Sequence, residues 1–196
     1  MTPKTFVLIG RSGCGKGTQS ELLQKVLKEK DPDNSVFYLE TGQEFRDFIS
    51  GTGYSNQLAK TIQDKGGLQP SFFAVWIWSN ILIKSITEKQ HLLIDGTPRK
   101  LSEAIIFTEA MKFYSRRPNI IYLNVSRKWS EGRLAERHRS DDELSVVKRR
   151  LDWFDSEVMP TVQYFENNLD VNFLDINGER SIEEIHQDIV NSLNWE

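Results

Sequence analysis

The stretch GRSGCGKGTQ occupies residues 10–19, between an apolar run of strand length and a segment with helical spacing. It satisfies the pattern GxxxxGK at Gly10, Gly15 and Lys16, with Thr18 one residue later than the usual Ser or Thr. Glycine is needed in such a loop because the backbone must curl around a phosphate and point several amide N–H groups inward. The stretch therefore predicts a phosphate-binding loop at the end of the first strand.

Two side chains and the following helix complete this predicted loop. The helix presents its positive N-terminal end to the phosphates. Lys16 places a cation on the outer phosphates, and Thr18 offers a hydroxyl close to a magnesium shell. A glycine-rich turn with a purely structural purpose would share part of this pattern. The combination of strand, spacing, lysine and helix favours phosphate binding.

Outward from this loop, apolar runs alternate with segments of helical spacing. The runs of strand length are residues 5–9, 36–39, 91–94, 120–125 and 171–176. The helical segments are residues 19–30, 71–87, 101–114, 128–137, 143–166 and 182–193. This alternation predicts an α/β fold with a parallel sheet and helices on both sides. Pro160 should break its segment into two helices, and Ser181 with Glu184 forms a capping-box pattern for the last helix.

Length and composition limit the classes of protein. With 196 residues, 38% of them hydrophobic, the chain fits one globular unit. It has no apolar run of about 20 residues, so no membrane span is expected. Its first residues lack the features of a signal peptide, which predicts a cytoplasmic protein. A net charge of −3 gives no reason to expect nucleic acid as a partner. Cys14 is the single cysteine, so neither a disulfide nor a zinc site is expected.

The GKGT ending of the loop resembles the adenylate kinase family, and further motifs follow in that family's order along almost the whole chain. The segment ETGQEFR is similar to a family segment in which a threonine lies beside the base of the monophosphate and an arginine binds its phosphate. Here these residues are Thr41 and Arg46. The segment IDGTPR resembles the family's DGFPR, which implies that Asp95 holds magnesium through water and that Arg99 binds the monophosphate.

Arginines of the second half of the chain match the donor side and lid of the same family. RLAER resembles the family's RLxxR, which implies that Arg133 stacks on the donor base and that Arg137 reaches the donor phosphates. HRSDD, residues 138–142, and KRRL match the lid's RxDD and the RL that follows it. The resemblance implies that Arg139 and Arg150 move in with the lid and contact the transferring phosphoryl group.

The resemblance also implies an architecture. It is a three-layer P-loop NTPase fold whose five-stranded parallel sheet has the order 2-3-1-4-5. Residues 1–39, 70–137 and 143–196 would form the core. Residues 40–69 would form a small helical flap over the monophosphate, and residues 138–142 a very short lid.

The implied reaction is reversible phosphoryl transfer from MgATP to a nucleoside monophosphate, in its simplest form ATP and AMP giving two ADP, catalysed by a monomer. Zinc is not expected, because the cysteines of the zinc-bearing lid are absent. Thr18 and Asp95 are the implied magnesium residues. The implied catalytic residues are Lys16, Arg99, Arg139 and Arg150. The implied ATP-binding residues are Gly13, Cys14, Gly15, Lys16, Gly17, Thr18, Arg133, Arg137 and Arg180. The implied residues that bind the monophosphate are Thr41, Arg46, Gly67, Gln69, Gly96, Arg99, Glu103, Arg139 and Arg150.

The chain departs from the family most clearly around the acceptor base. Glu103 stands where members that choose adenine usually carry Gln, and Gln63 and Gln69 stand where Met and Val are common. An ionised carboxylate only accepts hydrogen bonds, so it suits the N1–H and amino group of guanine, or an amino group alone, better than adenine N1. In the structural alternative, Glu103 turns outward. In the loop, Arg11 replaces a small residue and could add a cation.

Two other functions therefore stay open at this point. One is a kinase for a different acceptor, such as GMP, CMP, UMP or a deoxynucleotide, and Glu103 is the residue that motivates it. The other is a nucleotide-binding protein that kept the P-loop without efficient turnover. The persistence of the charged motif residues argues against the second.

Overall fold

A computed structural model describes residues 2–137 and 144–195. These residues form one five-stranded parallel sheet with the strand order β2-β3-β1-β4-β5. The strands are β1 (Thr5–Gly10), β2 (Ser35–Glu40), β3 (Gln90–Asp95), β4 (Pro118–Asn124) and β5 (Asn172–Asn177). The predicted fold class, the five strands and their order are confirmed, with the strand ends moved by one or two residues from the predicted ones.

Helices connect successive strands and cover both faces of the sheet. They are α1 (Lys16–Lys30), α2 (Thr41–Ile49), α3 (Tyr54–Asp64), α4 (Ser71–Ser85), α5 (Leu101–Phe113), α6 (Arg127–Arg137), α7 (Leu144–Trp153), α8 (Met159–Glu166) and α9 (Ile182–Ser192). In the described part of the chain, none of these helices is both long and apolar enough to cross a membrane.

The central strand β1 shows why the sheet is covered on both sides. Its residues are buried on both faces, and successive side chains point in opposite directions. Val7 and Ile9 belong to the core cluster formed with α4, α5 and α8. Phe6 and Leu8 belong to the cluster formed with α1 and α9. A strand with no polar face requires two helical layers, and this requirement produces the three-layer architecture.

The segment after α6 contains two helices, as predicted, but the predicted position of the break is wrong. A π-helical turn at Phe154–Val158 separates α7 from α8, and Pro160 lies in the first turn of α8. Proline is tolerated there because the N–H that it lacks has no partner within the first turn of a helix. Pro160 therefore starts a helix, and the π-helical turn ends the preceding one.

The segment predicted to form a small flap contains α2 and α3. Both helices lie within residues 40–69. The flap packs on α4 through aromatic rings: the ring centroids of Phe45 and Phe48 lie 5.4 and 4.7 Å from that of Phe73. The proposed division into core, flap and lid stays a prediction, and the lid residues 138–142 lie outside the described residues.

The last helix begins with the predicted capping box. The Ser181 hydroxyl accepts a hydrogen bond from the backbone N–H of Glu184, and the Glu184 carboxylate accepts one from the backbone N–H of Ser181. We expect Ser181→Ala to lower the free energy of unfolding by about 1 kcal/mol, because the backbone N–H of Glu184 loses its ordered acceptor. Chemical denaturation measures this change. Ser181→Asp keeps an acceptor and should stay near wild type; an equal loss in both variants would contradict the capping role.

Candidate nucleotide-binding site

The backbone of the phosphate loop is shaped by glycine. Gly13 and Gly15 have φ values of 84° and 93°, in the left-handed region that other residues rarely adopt. At Gly10 an added Cβ would lie 2.6 Å from the Cys14 sulfur and 2.8 Å from the carbonyl oxygen of Leu123. The helix α1 begins directly after Gly15, and its first turn contains no acidic residue. The loop therefore leaves amide N–H groups and a helix N-terminus available to an anion.

Lys16 is held above this loop by the loop's own carbonyl groups. Its ammonium group donates to the carbonyl oxygens of Gly10 and Arg11 at 2.9 and 3.1 Å. Cys14 is buried beneath it, with its sulfur 3.7 Å from the Lys16 nitrogen. Burial raises the pKa of the Cys14 thiol, so Cys14 acts as an apolar packing residue of the loop.

One cavity of about 670 Å³ lies where β1, β2 and β3 end. Most of the residues predicted for the site line this cavity together. They are Gly13, Gly15, Lys16, Gly17, Thr18, Arg46, Gly67, Gln69, Asp95, Gly96, Arg99, Glu103, Arg133 and Arg150. The structure thus brings the phosphate loop and four of the predicted arginines to a shared space.

Among the described residues, Thr41 and Arg180 were predicted for the site but do not line the cavity. Thr41 is buried, and its hydroxyl donates to the carbonyl oxygen of Asp95 at 3.0 Å. This hydrogen bond connects the start of α2 to the end of β3. Arg180 forms an ion pair with Asp188 on α9. Arg139 lies outside the described residues, and Arg137 is described only as the last residue of α6.

Arg46 and Arg99 each donate hydrogen bonds to an oxygen acceptor of the protein. Arg99 donates through Nε to the carbonyl oxygen of Gly96 at 2.8 Å, and its guanidinium carbon lies 5.4 Å from the ring centroid of Trp153. Burial lowers the pKa of Arg99, although nearby carboxylates favour its charged form. Arg46 donates to the carboxylate of Glu40 at 2.8 Å. Both cations are therefore positioned before an anionic ligand arrives.

Two buried carboxylates complete the cavity. Asp95 ends β3, and burial raises its pKa, while the nearby cations of Lys16 and Arg99 act in the opposite direction. Glu103 is 2% exposed and its Oε2 accepts a hydrogen bond from the backbone N–H of Arg99 at 2.9 Å. Burial raises the pKa of Glu103, and hydrogen bonds from backbone N–H groups lower it. The alternative in which Glu103 turns outward is therefore wrong.

Arg11 does not add a cation to the cavity lining. Its guanidinium group pairs with Asp155, donates to the carbonyl oxygen of Val125 at 3.1 Å, and lies 4.4 Å from the ring centroid of Phe154. Asp155 also lies 3.5 Å from Arg127 at the start of α6. The substitution thus ties the phosphate loop to the π-helical turn.

Several residues of the lining were not among the predicted site residues. Tyr38, Glu40 and Glu136 contribute polar groups, and Phe45 and Trp153 contribute rings. Glu40 could have been found, because it ends β2 directly opposite Asp95 in the register of the sheet. Trp153 carries no local signal, since its role depends on the packing of α7 against the flap.

The fold and the site define a P-loop nucleotide-binding protein with cations facing the loop across one cavity. The model of the adenylate kinase family matches residues 8–169 of the chain. An adenylate kinase of Oenococcus oeni is 29% identical over 181 residues, which cover 91% of this chain and 93% of the relative. The chain belongs to the adenylate kinase family, whose members are phosphotransferases that act on nucleoside monophosphates.

Two further relatives show the spread of activities around this chain. An adenylate kinase of Corynebacterium urealyticum is 30% identical over 187 residues, covering 93% of this chain and 94% of the relative. A uridylate kinase of Saccharomyces cerevisiae is also 30% identical, over 198 residues that cover 96% of this chain and 89% of the relative. The family resemblance predicted from the motifs is confirmed.

We expect Lys16→Ala to reduce phosphoryl transfer by about a hundredfold or more, because the variant removes the cation held over the loop. A coupled assay of ADP formation measures the loss, and thermal denaturation shows whether the fold is retained. Lys25→Ala is the matched control, since Lys25 is exposed on the same helix and does not line the cavity. Full activity in Lys16→Ala would contradict the role of the loop.

Proposed function

We propose that the protein transfers the terminal phosphoryl group of MgATP reversibly to AMP, forming two ADP. The observation that carries this proposal is one cavity lined by the Lys16 loop on one side and by Arg46, Arg99 and Arg150 on the other. Two anionic nucleotides repel each other strongly in a poorly solvated space, so fixed cations around both phosphate groups are required. We assign ATP and AMP as the substrates because the chain belongs to the adenylate kinase family.

On the donor side, the amides of the loop and the N-terminus of α1 bind the ATP phosphates, and Lys16 contacts the outer ones. Gly13, Gly15 and Gly17 allow the backbone to approach, and Thr18 follows in the first turn. Arg133 on α6 stacks on the donor base, and it is half-exposed at the rim of the cavity. Arg137, one turn later on α6, contacts the donor phosphates.

On the acceptor side, Arg46 and Arg99 bind the phosphate of AMP. Planar guanidinium groups offer paired N–H donors that match phosphate oxygens. In the structure these donors bind Glu40 and the Gly96 carbonyl group. The AMP phosphate therefore replaces these protein partners of the two arginines. Because both side chains are already ordered, less conformational entropy is lost when AMP binds. Arg150 lines the same cavity, and we assign to it the stabilisation of the charge that develops during transfer.

Thr18 and Asp95 are suited to a magnesium ion that arrives with ATP. A hydroxyl and a carboxylate are hard oxygen donors of the kind that Mg²⁺ prefers, and both line the cavity beside the loop. Among the described residues no group of three or more His, Cys, Asp or Glu side chains converges, so nucleotide phosphates and water would complete the shell. When bound, the ion supplies charge neutralisation between the outer phosphates.

Water is a competing acceptor, so the site must close during transfer. We assign this closure to the flap, residues 40–69, and to the lid, residues 138–142 with Arg139, moving over the core formed by residues 1–39, 70–137 and 143–196. The proposal requires no partner besides nucleotides. It keeps the expectation of a monomer in the cytoplasm, where ATP is abundant.

Acceptor specificity provides the direct test. We expect turnover with MgATP to be highest with AMP in a coupled assay that compares kcat/KM for AMP, GMP, CMP and UMP, because the chain belongs to the adenylate kinase family. Preference for another monophosphate would support the same class of kinase with a different acceptor base. Absence of turnover with every acceptor would leave a nucleotide-binding protein without kinase activity.

The acceptor arginine gives a second expected result. Arg46→Lys should raise the KM for AMP about tenfold with a smaller effect on the KM for ATP, because lysine cannot present two parallel N–H donors to phosphate. Initial rates at varied AMP and at varied ATP measure both constants. Arg117→Lys is the control: Arg117 is exposed and binds the Leu169 and Val171 carbonyl groups, away from the cavity lining. Equal changes in both Michaelis constants would contradict the assignment.

A further inference from the structure

Trp153 contacts two parts of the acceptor side at the same time. It is the last residue of α7, it is half-buried, and it lines the cavity. The guanidinium carbon of Arg99 lies over its ring, 5.4 Å from the ring centroid. Its indole N–H donates to the carbonyl oxygen of Gly66, in the flap, at 3.0 Å. None of the sequence motifs includes Trp153, and the proposed function gives it no role.

The ring of Trp153 holds Arg99 without an oxygen acceptor. A guanidinium group within about 6 Å of the centroid of an indole ring is attracted by the electrons of the ring face. In the part of the chain that the structure describes, Nε is the only atom of the Arg99 side chain that donates a hydrogen bond, and its acceptor is the Gly96 carbonyl oxygen. The two Nη groups therefore offer N–H donors to the oxygens of a phosphate.

Arg46, the other arginine assigned to the acceptor phosphate, is held in a different way. Its Nη2 donates to the Glu40 carboxylate and to the Gln43 amide oxygen, each at 2.8 Å. A phosphate must compete with these two oxygens for the same N–H group. The ring of Trp153 has no lone pair to offer, so it positions Arg99 without competing with a phosphate for N–H donors.

The second contact of Trp153 belongs to a close approach between the flap and α7. Gly66 has a φ of 67°, and an added Cβ would lie 3.0 Å from the Val146 Cγ1 atom and 3.1 Å from the Val146 carbonyl oxygen. Arg149 donates to the carbonyl oxygen of Lys65 at 2.7 Å. The turn that ends the flap is therefore packed directly on α7, and Trp153 connects this turn to the acceptor arginine.

We propose that Trp153 is a positioning residue for the acceptor phosphate, with its ring fixing the Arg99 guanidinium group and its indole N–H fixing the end of the flap beside it. This inference rests on the proposed kinase function. Trp153 acts through Arg99, so it increases the affinity for the nucleoside monophosphate. It should have little effect on the affinity for ATP, whose phosphates are assigned to the Lys16 loop.

Two substitutions separate the contacts that Trp153 makes. Trp153→Leu removes both the ring and the N–H, and it should raise the Kd for AMP about fivefold to tenfold, the effect of one partly buried cation–π contact. Trp153→Phe keeps a ring and loses the N–H, so it should stay within about threefold of wild type, the effect of one hydrogen bond between uncharged groups. Calorimetric titration of AMP in the absence of ATP measures both constants. Initial rates give the KM for AMP, which should follow the same order, and the KM for ATP, which should stay near wild type.

Trp195→Leu is the matched control. Trp195 makes the same two kinds of contact away from the cavity lining: its indole N–H donates to the Val190 carbonyl oxygen at 2.8 Å, and the Lys30 ammonium lies 5.1 Å from its ring centroid. This variant should keep the wild-type Kd for AMP. Thermal denaturation of both leucine variants shows how much stability each one loses, so a loss of AMP affinity confined to Trp153→Leu is not an effect of stability alone.

The outcomes also distinguish this inference from the proposed function. An unchanged Kd for AMP in Trp153→Leu would overturn the inference and leave the kinase function intact. A rise of the KM for ATP as large as that for AMP would overturn it as well. A Trp153→Phe variant as impaired as Trp153→Leu would leave no role for the ring and would also overturn it. Absence of turnover by wild type with every monophosphate would instead refute the proposed function, and the calorimetric comparison, which needs no turnover, decides the inference separately.

Discussion

The close approach of backbone to backbone at the phosphate loop is the constraint on which the rest of the structure depends. A side chain at Gly10 would meet the Cys14 sulfur and the Leu123 carbonyl oxygen at less than 3 Å. The chain can turn there only without a Cβ, so the loop folds tightly over the ends of β1 and β4. That turn aims the N-terminus of α1 and the Lys16 ammonium at one point beyond the sheet. Every other charged residue of the site is arranged around this point.

One short segment of α7 and the π-helical turn connects the two sides of the cavity. Arg150 lines the cavity itself. Trp153 lies against the Arg99 guanidinium group, and its indole N–H donates to the carbonyl oxygen of Gly66 in the flap at 3.0 Å. Two residues later, Asp155 binds Arg11 of the phosphate loop. Displacement of this segment would therefore disturb the phosphate loop, Arg99 and the flap together.

Features encoded by local pattern were predictable from the sequence, and features created by distant packing were not. The loop, the strands and the Ser181 capping box depend on neighbouring residues, so spacing alone indicates them. The strand order came from the family motifs. The π-helical turn, by contrast, moved the helix boundary from Pro160 to residues 154–158. The sequence left open whether Arg11 adds a cation to the loop, because its partner Asp155 lies 144 residues away in the sequence, where no local pattern could indicate it.

The electrostatics of the cavity explain how a cluster of cations can exist before any nucleotide binds. Lys16 rests on carbonyl oxygens, Arg46 on Glu40, and Arg99 on the Gly96 carbonyl group between the carboxylates of Asp95 and Glu103. These acceptors offset the mutual repulsion of the cations and fix their positions. Fixed donors need little reorganisation when charge develops on a transferring group, which is the main source of electrostatic stabilisation in enzymes. Glu40, Asp95 and Glu103 thus help to hold the cations of the cavity in place.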